Sequence, residues 1–186
     1  SAWADVAVTA LNFPDNTFRN YVSENFDTDS NGLLSDEEIA MHQLTALDVS
    51  YNTPLTTLNC DSNQLTELDV RHNTALEWLY CDENHLTTLD VSGNIALEGL
   101  FCNNNQLTIL DVSRNTALTH LDCYGNQLTA LDVSHNTAIT DLRCFYNQLT
   151  ALDVSHNTAL EWLDCDSNYF TVTRKKAPTS VRIALS

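Results

Sequence analysis

Six cysteines, Cys60, Cys81, Cys102, Cys123, Cys144 and Cys165, stand 21 residues apart at every step, and the rest of the sequence repeats with them. Residues 64–84 read QLTELDVRHNTALEWLYCDEN and residues 85–105 read HLTTLDVSGNIALEGLFCNNN. Six such units fill residues 43–168 without an insertion. A period this short and this strict yields one small structural unit per repeat. One unit cannot bury its apolar face alone, so the units stack and share a continuous core.

Each unit contains L-x-x-L-x-C-x-x-N-x-L, as in Leu76, Leu79, Cys81, Asn84 and Leu86. This is the leucine-rich-repeat signature with Cys in the third apolar slot. A second, similar half carries Leu65, Leu68, Val70, Asn73 and Leu76. One coil is therefore expected to be two short extended segments joined by two asparagine turns. Alternate side chains of a strand face opposite ways, which turns Leu79 and Cys81 inward and Trp78, Tyr80 and Asp82 outward. The predicted fold is a right-handed leucine-rich-repeat solenoid with six repeats and a parallel β-sheet on its concave face.

The invariant polar columns are read as structural. The asparagines from Asn63 to Asn168 and from Asn52 to Asn157 are expected to satisfy turn backbone groups, each otherwise costing on the order of 1–3 kcal/mol when buried. The column Asp48, Asp69, Asp90, Asp111, Asp132 and Asp153 recurs in every coil and is given the same kind of role. Disulfides are not expected. Equivalent cysteines on neighbouring strands have parallel Cβ atoms about 4.8 Å apart, and a disulfide needs about 3.8 Å with a twisted geometry. The thiols are read as small apolar core side chains. No Cys-x-x-Cys pair suggests zinc.

Residues 1–42 do not follow the repeat and have the composition of a cap for the open end of the first coil. Phe13-Pro14-Asp15, then Phe18, Tyr21, Val22 and Phe26, predict a short amphipathic helix. Residues 27–38 then match a twelve-residue EF-hand calcium loop. Asp27, Asp29 and Asn31 offer oxygens, Gly32 makes the sharp turn, Leu33 presents its carbonyl, Ser35 follows and Glu38 closes the set. The expected cofactor is Ca²⁺. Its expected role is a structural staple, because sensor loops come in pairs and one such loop is present. At the other end, Tyr169 to Thr173 read as a strand covering the last coil, with Arg174 to Lys176 blunting its edge. Residues 169–186 form the expected C-terminal cap and tail.

Twenty-five acids stand against eight bases, a formal net charge of −17. Such a surface repels nucleic acid and anionic membranes and favours cations and basic partners. Half of the bases, Arg174, Lys175, Lys176 and Arg182, lie in the tail. No apolar run reaches membrane-spanning length. The chain starts without Met, which suits a mature or trimmed protein. No Ser/His/Asp or Cys/His set converges, and with four glycines no phosphate loop is recognisable, so the chain is not read as an enzyme. His72, His135 and His156 share a turn position and are read as solvated.

The outward strand positions behave differently from the rest. They form three columns: Thr57, Trp78, Gly99, His120, Asp141, Trp162; then Asn59, Tyr80, Phe101, Asp122, Arg143, Asp164; then Asp61, Asp82, Asn103, Tyr124, Phe145, Asp166. These 18 of the 126 repeat residues hold six of the eight repeat aromatics, where an even spread would put about one. Other columns are nearly constant from coil to coil, while these vary. Trp78, Tyr80, Phe101, Tyr124, Phe145 and Trp162, with Asp82, Asp122, Asp164 and Asp166 between them, are therefore the candidate ligand-binding residues. They suit sugar rings and hydroxyls, or an Arg-rich protein patch. The competing reading makes Tyr80–Phe101 and Tyr124–Phe145 cross-strand pairs that only stabilise the sheet. Asp122, Arg143 and Asp164 are read mainly as a charge ladder.

The unit LxxLDVSxNTALxxLxCxxNQ resembles those of internalin J-like bacterial surface proteins with a cysteine ladder. The opening NFPDNTFRNYVSENFDTDSNGLLSDEEIA is similar to caps of leucine-rich-repeat proteins of gut anaerobes. The resemblance covers residues 12–168, although no cell-wall sorting tail follows. It implies a protein that is secreted or held at the bacterial cell surface, monomeric, and engaged with a host protein, mucin or glycan. The rival expectation is a calcium-stapled spacer that displays another domain.

Overall fold

The computed structural model describes residues 44–170, and the backbone of three short strands outside them. The chain divides into two compact units, residues 1–44 and 45–186. In the first, β1 (Val6–Ala7) pairs antiparallel with β2 (Leu33–Leu34), Val6 opposite Leu34 and Ala7 opposite Leu33. The helix expected over 13–26 and the remaining residues of the expected calcium loop, Asp27, Asp29, Asn31, Ser35 and Glu38 among them, lie outside the described residues.

The second unit carries one strand per repeat: β3 (Thr57–Asn59), β4 (Trp78–Tyr80), β5 (Gly99–Phe101), β6 (His120–Asp122), β7 (Asp141–Arg143) and β8 (Trp162–Asp164). They pair in parallel in chain order, with five steps of 21 residues: Leu58, Leu79, Leu100, Leu121, Leu142 and Leu163 lie in one row. The strands are only three residues long because each coil turns away at the next asparagine. The parallel β-solenoid of leucine-rich-repeat type read from the period is thus the observed architecture.

The end of the solenoid differs from expectation. Tyr169 and Phe170 are not in a strand, and Thr171–Thr173 lie outside the described residues. The Tyr169 N–H donates to the Leu149 carbonyl at 2.9 Å, as His85 does to Leu65 and Gln106 to Leu86 at 2.8 Å. Tyr169 therefore still follows coil register at the exit of a turn, away from the free edge of β8. That edge is taken instead by β9 (Arg182–Ala184), parallel to β8 with Ile183 opposite Leu163.

The core follows the repeat column by column. Leu79, Cys81, Leu86, Val91 and Leu97 are fully buried, and so are their equivalents in the next two coils. Burial of each such aliphatic side chain is worth roughly 1.5–3 kcal/mol. All six cysteines are free thiols, buried except for half-buried Cys165. Burial pushes the Cys60 thiol up to about 12, with Asp61 and Asp82 adding to it. Burial likewise raises those of Cys81, Cys102, Cys123 and Cys144 well above the ordinary thiol value.

The two asparagine ladders do different amounts of work. At the turn after the sheet strand, Asn126 Oδ1 accepts from the Leu107 N–H at 3.0 Å. Its Nδ2 donates to the carbonyls of Cys102 and Cys123, both at 3.0 Å, and of Tyr124 at 3.3 Å. At the other turn, Asn115 Nδ2 donates to Val91 O at 2.9 Å and Asn94 O at 2.8 Å, while its buried Oδ1 has no partner. The aspartate column makes a local turn: Asp90, Asp111 and Asp132 each accept the N–H two residues on, at 2.9–3.0 Å.

Candidate binding face

The three outward columns stand on the exposed side of the parallel sheet, opposite the leucine and cysteine rows, as the alternation requires. In register, Trp78 faces Gly99, Tyr80 faces Phe101, and Phe101 faces Asp122. Trp78, Tyr80, Phe101, Tyr124, Phe145 and Trp162 are all half-buried. Each ring keeps part of its surface in solvent.

The six aromatics do not form one patch. Tyr80 and Phe101 stack at 4.6 Å and 10°. Trp78 joins them, 6.4 Å from Tyr80 and 6.3 Å from Phe101, and reaches across to His120 at 5.8 Å. It can do so because β5 begins with Gly99. A Cβ there would overlap the six-membered ring of the indole and lie 3.1 Å from Phe101 Cε2. A second group is Tyr124 and Phe145, stacked at 4.2 Å and 8°, with Tyr146 set edge-on to Phe145 at 5.5 Å and 63°. Trp162 stands apart on β8, in register with Asp141 and Arg182.

Between the two groups lies a charged centre. Arg143 Nε is 3.2 Å from Asp141 Oδ1, and its Nη1 is 3.6 Å from Asp122 Oδ2. The expected ladder through Asp122, Arg143 and Asp164 is thus only half made: Arg143 turns to Asp122 and Asp141, and Asp164 accepts the Asp166 N–H at 3.5 Å. Asp122 is buried, and its Oδ1 has no partner. Burial raises its carboxyl to about 6 against the opposing pull of Arg143, with Asp141, Asp82 and Asp164 adding repulsion. Burial also raises the carboxyl of half-buried Asp82. Asp166 lies one coil beyond Phe145 in the same column.

Two participants escaped the reading of the sequence. Gly99 is part of the site because it lacks a side chain. Tyr146 lies one residue beyond the outward columns, at a turn position whose other occupants are Ser62, Glu83, Asn104, Gly125 and Ser167. Being the one large side chain in that column was the available signal.

Among the described residues no group of three or more His, Cys, Asp or Glu side chains is placed to hold a metal ion, and no helix is long and apolar enough to cross a membrane.

The sheet, the asparagine turns and the stacked thiols define a leucine-rich-repeat solenoid with a cysteine ladder. The Leucine Rich repeat family pattern matches residues 83–99 and 126–142. No curated protein matches the sequence. Among solved structures, the chain is similar to the functional domain of InlJ from Listeria monocytogenes, which includes a cysteine ladder. Identity is 37% and the TM-score 0.77, over 99% of this chain and 48% of that one. A leucine-rich-repeat protein of Leptospira interrogans shares the fold at 24% identity and a TM-score of 0.66, over 71% of this chain and 37% of that one. The leucine-rich-repeat domain of APL1B matches at 25% identity and a TM-score of 0.67, over 77% and 45%. The chain thus spans less than half the length of each of these structures.

Proposed function

We propose that this chain is a recognition module of a secreted or surface-held bacterial protein, and that it binds a host protein, mucin or glycan through the outward face of its parallel sheet. The observation that carries the reading is a contrast within the coils. Positions that build the solenoid repeat almost residue for residue, while the outward columns vary and concentrate half-buried aromatics. Stacking holds the rings of Trp78, Tyr80 and Phe101 in place before any partner arrives, so little side-chain entropy remains to be lost on binding. The likeness to a cysteine-ladder domain of an internalin supports the assignment to a bacterial surface or secreted protein. Ca²⁺ in the 27–38 loop is proposed as a staple of the first unit, supported by the ligand spacing of Asp27, Asp29, Asn31, Leu33, Ser35 and Glu38.

The test is binding of the calcium-loaded protein to an array of mucins, glycans and matrix proteins. The variant Trp78→Ala/Phe101→Ala/Phe145→Ala/Trp162→Ala is run beside it. Binding lost in a folded variant supports the reading. A wild-type protein that binds nothing on the array would favour a spacer that displays another domain.

A further inference from the structure

Cross-strand stacking accounts for Tyr80 on Phe101 and for Tyr124 on Phe145. It does not account for Tyr146. That residue occupies the one position of each coil held in the left-handed region, with φ of 55° at Ser62, 52° at Glu83, 52° at Asn104, 64° at Gly125, 50° at Tyr146 and 52° at Ser167. At the first five of these positions the N–H donates one coil onward, as from Asn104 to Tyr124 O at 2.9 Å, Gly125 to Phe145 O at 3.0 Å and Tyr146 to Asp166 O at 3.1 Å. The turn thus recurs in every repeat whatever side chain it carries. Glycine and asparagine meet it cheaply; a bulky aromatic meets it at a cost. Tyr146 recovers little of that by burial, since it is 64% exposed. Strain kept at an exposed ring points to use of the ring.

The charge around it selects the user. The next coil brings Asp164 and Asp166, and the preceding one the carboxylate of Asp122, whose Oδ1 is unpartnered. The base in their midst, Arg143, is engaged by Asp122 and Asp141. We propose that Tyr146, with Phe145 and Tyr124, forms an aromatic ledge at the rim of the sheet that takes the guanidinium or ammonium group of a basic protein partner, with Asp164 and Asp166 as the counter-charge. The inference rests on the reading of the sheet face as a binding surface and narrows it to one ligand chemistry. An aromatic face beside carboxylates holds a cation from two sides, through the ring quadrupole and through the opposite charge.

Fluorescence anisotropy with a labelled nona-arginine peptide tests this, against a labelled Gly-Ser peptide and a neutral chito-oligosaccharide. Wild type binds nona-arginine. Tyr146→Asn, which leaves every charge in place, weakens that binding about fivefold or more. Tyr146→Phe keeps it. The melting temperature of Tyr146→Asn stays level or rises, because asparagine suits the left-handed turn. A peptide that wild type does not bind overturns the proposal. So does a Tyr146→Asn protein that binds as wild type does, or one that loses only the oligosaccharide. A fall in melting temperature would make the ring structural and also overturn it. Loss of array binding in Trp78→Ala, with Tyr146→Asn unaffected throughout, would leave the broader reading standing and remove the ledge alone.

Discussion

The indole of Trp78 lies over Gly99, on the neighbouring strand, in the space a side chain would fill. The glycine is buried although it stands on the outward face, because the tryptophan covers it. Gly99→Ala is therefore expected to lift the indole away from Phe101 and His120 while leaving the leucine rows in place. Tryptophan emission should shift to longer wavelength. Stability should fall by about 1–3 kcal/mol, the usual cost of forcing an extra methyl into a packed contact. Binding should fall with it. An unchanged emission spectrum would mean that the indole is not held there.

The two asparagine ladders make an ordered prediction. Asn126 makes four hydrogen bonds and Asn115 two, with one buried oxygen already unpartnered. Each buried backbone group left without a partner costs about 1–3 kcal/mol. Asn126→Ala should therefore destabilise more than Asn115→Ala, measured as the shift in urea midpoint at constant slope. Equal shifts would contradict the bonding pattern.

Asp122 gives the fold a pH dependence with an unusual sign. Its carboxyl sits at about 6 in the fold and near the ordinary 3.8 in the unfolded chain. The folded state thus holds this proton more tightly. Stability from this group is gained as pH falls through about 6, and the gain is complete once pH is below the unfolded value. The exposed Asp90, Asp111 and Asp132 work the other way. Hydrogen bonds from the serine two residues on lower their carboxyls, so their contribution is present at neutral pH and lost in acid below the ordinary carboxylate range. Relief of general acidic repulsion also favours lower pH. The contrast with Asp122→Asn isolates the one group. Between pH 7.5 and 5 the variant should gain less in melting temperature than wild type. An equal gain would remove the buried carboxylate from the account.

The thiol column should be chemically silent. With the Cys60 thiol at about 12, about one part in ten thousand is ionised at pH 8, and ionisation governs alkylation. Brief native-state treatment with iodoacetamide, followed by mass spectrometry, should label half-buried Cys165 first and Cys81 to Cys144 only on unfolding. Early labelling of Cys102 would show that the stack opens.

Calcium is tested on the first unit. Chelation should lower the temperature at which that unit unfolds, and Glu38→Gln in saturating calcium should reproduce the effect. At a hundredfold excess of calcium over its dissociation constant, the loss corresponds to about 2.7 kcal/mol. Unfolding indifferent to chelator would dismiss the staple.

How much of this was readable from the sequence follows from what each residue must match. Leu79, Cys81 and Asn84 must fit the same residues one coil away, so the period itself encodes sheet, core and turns. The strand at Arg182–Ala184 answers to no such constraint. It is held by pairing with β8, where Ile183 stands opposite Leu163, and nothing in the repeat marks where the chain comes back. Tyr169, aromatic and adjacent to the last asparagine, instead keeps the coil register through its bond to Leu149. On the outward face of the sheet, alternation places Trp78 and Phe101 outward but says nothing of reach. That the indole crosses Gly99 toward His120, and that Arg143 turns to Asp141 rather than Asp164, depends on side-chain length and local charge. Tyr146 lay in a turn column, outside the alternation that picked out the others.

Recognition by the sheet face, and not by another surface, can be tested on the protein itself. The most direct test compares two variants on whichever array ligand wild type captures. One carries Trp78→Ala, Phe101→Ala, Phe145→Ala and Trp162→Ala. The other removes exposed apolar side chains away from the sheet strands, Tyr51→Ser, Ile95→Thr and Ile109→Thr, which are 83%, 60% and 76% exposed. The first should lose binding by more than tenfold with its circular dichroism intact, while the second binds as wild type does. Loss in the second with retention in the first would place recognition elsewhere on the solenoid and contradict this expectation.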